Sequence, residues 1–98
     1  MDNKYRNEAT NQLIDAFLTL RAHDEVYAFL EDVCTINEIE AMSQRLEVAK
    51  MLQGGATYEQ VADSTGASTA TISRVKRYLK YGAGGYRLVL RRLEENKI

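Results

Sequence analysis

TYEQVADSTGASTATISRVKRYLKY, residues 57–81, reads as two short helices joined by a tight turn, the second one basic. Thr57 can cap the first helix, with Gln60 three residues on as its capping-box partner. Val61, Ala62 and Thr65 make the inward face, and Ala62 is small enough to let two helix backbones approach. Gly66 falls in the turn, where glycine adopts positive φ cheaply. Ser68 can cap the second helix, whose Ile72, Val75 and Leu79 recur at helical spacing and share a buried face. Thr69, Ala70, Ser73, Arg74, Lys76, Arg77 and Lys80 are left facing outward, small and polar first and cationic after. Two helices packed steeply around a glycine turn form a helix-turn-helix, and this outward face is that of a DNA-reading helix.

The charge balance agrees with that reading. The 98 residues carry a net −1, but residues 1–67 hold 12 acids and 5 bases (−7) and residues 68–98 hold 8 bases and 2 acids (+6). Seven bases and no acid fall between Ser68 and Arg92. A charge run is usually a solvated helix face. This one coincides with the turn-helix pattern, which is the footprint of polyanion binding.

Outward from this stretch the periodicity stays helical. A first helix is expected over Lys4–Leu20, with Leu13, Ile14, Phe17, Leu18 and Leu20 apolar, and a second over Asp24–Val33. His23 reads as a loop residue between them. Thr35, with Glu38 as box partner, opens a long third helix through residue 53, striped by Ile39, Met42, Leu46 and Ala49. Gly54-Gly55 ends it. After Gly82 and Gly84-Gly85, a last helix over Tyr86–Glu95 is expected to turn Leu88, Val89 and Leu93 inward and Arg87, Arg91 and Arg92 outward. Nothing alternates with period two. The fold class is therefore all-α, about six helices in a single domain, with a C-terminal helix-turn-helix.

Several classes fall away. No apolar run reaches membrane-span length and no signal core opens the chain, so cytoplasmic residence is expected. The lone Cys34 reads as a small core residue, and one histidine with one cysteine makes a zinc site implausible. No metal or cofactor is expected. No nucleophile–base pair or phosphate loop is visible, so the chain is read as no enzyme. The apolar helices of residues 1–33 exceed what so short a chain can bury, which favours a homodimer over a compact monomer.

From Thr35 the segment TINEIEAMSQRLEVAKMLQGGATYEQVADSTGASTATISRVKRYLKYG resembles the Trp repressor family, and more closely its YerC/YecD-type relatives. The run Ala70-Thr71-Ile72-Ser73-Arg74 after the Gly66-Ala67 turn carries most of the specificity. NQLIDAFLTLRAHDEVYAFLEDVCT looks like the family's dimerising helices, so the resemblance covers nearly the whole chain. It implies an intertwined homodimer whose reading helices enter successive major grooves. It also implies a ligand pocket: the family's corepressor indole lies between two arginines that match Arg45 and Arg74, and Thr35 and Thr71 match pocket residues. Here Val75 replaces a glycine and Tyr78 a serine, and both add bulk. Tryptophan is therefore not expected to bind. Arg45 and Arg74 are left to hold another anion, meet phosphate or pair with acids such as Glu47; for Arg45 the surface ion pair is the favoured reading.

The expected function is a sequence-specific, double-stranded-DNA-binding regulator. Thr69, Ala70 and Ser73 would meet bases. Arg74, Lys76, Arg77 and Lys80 would meet phosphates, Arg74 with a guanine contact open to it. Ser68 belongs to the same surface, and Thr57 and Tyr58 could meet backbone phosphate from a helix start. The alternative is a helix-turn-helix module whose basic face docks acidic protein or RNA polymerase.

Overall fold

The structure, a computed structural model, describes residues 3–97. Six α-helices and no strands make up the described residues: α1 Glu8–Leu18, α2 His23–Val33, α3 Ile36–Gln53, α4 Tyr58–Thr65, α5 Thr69–Tyr81 and α6 Gly85–Glu95. None is long and apolar enough to cross a membrane. Two compact units result, one up to Ile39 and one from Glu40 onward.

In the first unit, α1 starts four residues later than the apolar pattern suggests, because Asn7 supplies the cap. Its side-chain oxygen accepts from the Thr10 N–H at 3.0 Å. At the other end Thr19 turns its hydroxyl back onto the Ala16 carbonyl, leaving Leu20 outside the helix. His23 is the first residue of α2 rather than a loop residue. Its cap, Ala22, has no side-chain hydrogen bond, so the sequence carries no cap signal there; instead Glu25 reaches back and accepts the Arg21 N–H at 2.7 Å. Phe17 and Phe29 meet edge to face, centroids 5.1 Å apart, tying α1 to α2. Cys34 is half-buried at the end of α2.

The capping box expected at Thr35 forms: its N–H donates to Glu38 Oε1 at 2.8 Å and its hydroxyl accepts from the Glu38 N–H at 3.1 Å. In the second unit, Val48 and Ala49 of α3 are fully buried, whereas Met42 is left 41% exposed. Val48 and Ala49 pack with Val61 of α4, Ala67 of the turn, Ile72 and Val75 of α5, and Leu90 of α6. Leu46, Met51, Leu52, Ala62 and Leu79 close around this centre.

The last helix buries a different side chain from those its pattern suggests. Leu90 is 8% exposed, while Leu88, Val89 and Leu93 stand 38–50% exposed. Gly84, with φ 87°, takes the left-handed conformation at its start, and Tyr86 and Leu90 meet the core. Within this one chain it is therefore Leu90, with Tyr86, that α6 turns to the core, not Leu88, Val89 and Leu93.

Candidate nucleic-acid interface

Each end of the α4–α5 pair is fixed by local hydrogen bonds. The Thr57 hydroxyl accepts from the Gln60 N–H at 3.1 Å, and the Gln60 side chain accepts the Thr57 N–H at 2.9 Å. Two of the four N–H groups left over at the start of α4, those of Thr57 and Gln60, are satisfied reciprocally. Thr57→Ala is expected to cost about 1 kcal/mol and Thr57→Ser far less. Chemical denaturation of the two variants checks this, and equal losses would refute a role for the hydroxyl.

Between the helices Gly66 takes φ 73°, the left-handed turn that glycine permits. Thr65 stitches the turn from within: its hydroxyl donates to the Val61 carbonyl at 2.7 Å and accepts from the Ala67 N–H at 3.1 Å. Gln44 of α3 donates to the Thr65 carbonyl at 3.2 Å, so the turn is also anchored to the long helix. Ser68 then caps α5, accepting from the Thr71 N–H and donating to the Thr71 hydroxyl, both at 3.1 Å. The hydroxyls of Ser68 and Thr71 are thus committed to one another.

With Ile72 and Val75 each 1% exposed, the opposite face of α5 is turned out. Thr69, Ala70, Ser73, Arg74, Lys76, Arg77 and Lys80 are all exposed. Thr69 and Ala70 occupy the first turn, where backbone N–H groups give the helix end a partial positive charge. No acid lies in that turn. Among the described residues, the ion pairs are Arg91–Glu95 at 3.8 Å and Lys97–Glu94 at 3.2 Å, so the four cations of α5 are not neutralised.

Two of those cations are held by aromatic rings. The Arg74 guanidinium lies 5.8 Å from the Tyr78 ring centroid, and the Lys76 ammonium lies 5.3 Å from that of Tyr58. Both are within cation–π range. The second pairing links α5 to the start of α4, a link that spacing along one helix cannot reveal. Tyr58 is half-buried against the core and Tyr78 is 49% exposed.

The effector candidates are less united. Thr35 is engaged as the cap of α3 and Thr71 by Ser68. Arg45 is exposed and forms no ion pair with Glu47, contrary to the expectation from sequence. Such a pair would be two residues apart on one helix, and side chains so spaced do not face each other. Val75 is buried in the core.

Two helices packed around a glycine turn, the second capped and cationic on its free face, define a helix-turn-helix protein. A sequence model of the Trp repressor protein family matches residues 8–94, and the chain belongs to that family. It is 50% identical to the uncharacterized protein YerC of Bacillus subtilis (strain 168) over 97% of this chain and 91% of that protein. Among solved structures, a TrpR-like protein from Eubacterium eligens ATCC 27750 superposes with a TM-score of 0.91 at 55% identity, covering 99% of this chain and all of that one. A candidate Trp repressor from Staphylococcus aureus gives 0.89 at 50% identity, over 93% of this chain and 91% of its own.

Proposed function

We propose that this protein is a cytoplasmic, non-enzymatic transcriptional regulator of repressor type that reads the major groove of double-stranded DNA as a homodimer. The observation that carries the reading is the free face of α5, with hydroxyl and methyl groups at its N-terminal end and four un-neutralised cations behind them. Thr69, Ala70 and Ser73 are assigned to base edges, and Arg74, Lys76, Arg77 and Lys80 to phosphates, Arg74 with a guanine also in reach. Ser68, Thr57 and Tyr58 flank this face at two helix starts. Membership of the Trp repressor family supports the same assignment.

Apolar side chains left exposed support the dimer: Leu13, Ile14 and Leu18 of α1, and Leu88, Val89 and Leu93 of α6. A second copy is the partner that would cover them, and two-fold symmetry suits half-sites about 34 Å apart.

Tryptophan is not assigned as an effector. The Tyr78 ring already lies within cation–π distance of the Arg74 guanidinium, and Val75 fills core space where the family's pattern has glycine. Selection of bound sequences from a random duplex pool, with and without tryptophan, tests all three parts. A palindromic consensus that is the same in both arms is the expected outcome. A consensus recovered only with tryptophan would defeat the ligand-independent reading, and a non-palindromic one the dimer. No duplex retention would defeat the DNA assignment and favour docking of an acidic protein or RNA polymerase by the basic face.

A further inference from the structure

The cationic surface does not end with α5. A cleft of about 430 Å³ in the second unit is walled by Thr57 and Tyr58 at the start of α4, Lys76 and Lys80 of α5, and Arg87 of α6. Two helices, α5 and α6, thus bring three cations to one depression beside the start of α4, and no Asp or Glu lines it. None of the three has an ion-pair partner among the described residues. The cleft on the other side of Arg87 differs: Glu94 and Glu95 sit there among Lys50, Arg91 and Lys97, so its charges are mixed. Arg87 is therefore at the edge between a surface of mixed charge and a purely cationic one.

The geometry within the cleft also favours an oxyanion. The Lys76 ammonium lies 5.3 Å from the centroid of the Tyr58 ring, and both residues line the cleft. Thr57 spends its hydroxyl and its own N–H in the capping box, leaving the Tyr58 and Glu59 N–H groups as the unbonded donors of the first turn. Like charges gathered with no counter-charge repel one another, and a bound phosphate relieves that repulsion. The guanidinium of Arg87 can take two phosphate oxygens at once.

We propose that this cleft holds a backbone phosphate of the bound duplex, and that Arg87 is a DNA-contacting residue contributed by the C-terminal helix. The assignment rests on the DNA-reading function proposed above and extends it to α6. Arg87 carries no base information. It fixes the register of the reading helix on the phosphate chain.

The test compares the full-length parent with Arg87→Gln, Arg87→Lys, Arg91→Gln and Arg77→Ala on a random-sequence duplex. Affinity is measured by fluorescence anisotropy across a salt series. Arg87→Gln should lower the log–log salt slope by about 0.9, and weaken binding about fivefold near 0.15 M salt, for each engaged protomer. Arg87→Lys should restore the slope, since the charge is kept. Arg91→Gln should match the parent, because Arg91 lines the mixed-charge side and pairs with Glu95. Helical circular dichroism and the melting temperature establish that each variant is folded. An unchanged slope in Arg87→Gln beside a reduced slope in Arg77→Ala overturns the cleft and leaves the reading helix in place. A parent that binds no duplex overturns both.

Discussion

Ile72→Ala is expected to lower the stability of the C-terminal unit by about 2–5 kcal/mol, the usual range for emptying a buried aliphatic site. In a domain of this size that corresponds to a drop in melting temperature of roughly 10–25 °C. Ile72 is 1% exposed, at the meeting point of side chains from α3, α4 and α5. Its neighbours in the buried cluster are short: Val48, Ala49, Val61, Ala67 and Val75, with Leu90 as the one other long member. Short side chains held on capped helices cannot swing in to fill the space, so most of the cavity persists. Tyr81→Ala is the comparison. At 80% exposure it should stay within about 0.5 kcal/mol of the parent. Thermal melts of the two variants decide the matter, and an Ile72→Ala protein melting within a few degrees of the parent would contradict the packing described.

The second large effect is on binding. Replacing Lys76, Arg77 and Lys80 together with glutamine should reduce the salt slope by about 2.7 per engaged protomer and weaken binding to duplex on the order of a hundredfold near 0.15 M salt. All three are exposed and outside the recorded ion pairs, so the fold should be little disturbed. Loss of the Lys76–Tyr58 contact is worth about 1 kcal/mol or less. The effect should be similar on every sequence, since phosphates carry no sequence information. Ser73→Ala should behave oppositely, shifting the preferred sequences while leaving average affinity nearly intact. A triple variant that keeps the parent's salt slope would remove this face from the interface.

What the sequence displayed well is what is decided within a few residues. Thr35 with Glu38, Thr57 with Gln60, Gly66 in the turn and Ser68 before α5 are each a short-range bargain between one side chain and nearby N–H groups. Residue type at fixed spacing reports such bonds almost directly. The boundaries of α1 were blurred because Lys4, Tyr5 and Arg6 before Asn7 include no helix-breaking residue and Leu20 prolongs the apolar pattern past Thr19; only the hydrogen bonds of Asn7 and Thr19 end the helix. The burial of Leu90 in place of Leu88, Val89 and Leu93 depends on which side of α6 meets the core, a long-range matter of tertiary packing. The Lys76–Tyr58 pairing and the cleft shared with Arg87 join residues distant in sequence, so no local pattern could announce them.

Val48, Val61, Ile72 and Val75, the largest fully enclosed side chains, are all branched at Cβ. On a helix such residues have essentially one χ1 rotamer open to them. The scaffold beneath the exposed face of α5 therefore has few alternative arrangements to visit, and the face is held in one pose before anything approaches it. Binding to it then forfeits little backbone freedom, leaving the ordering of its exposed lysines and arginines as the main internal cost. Its entropy change should then come mainly from displaced ions and water, and no heat-capacity signature of a folding α5 should appear.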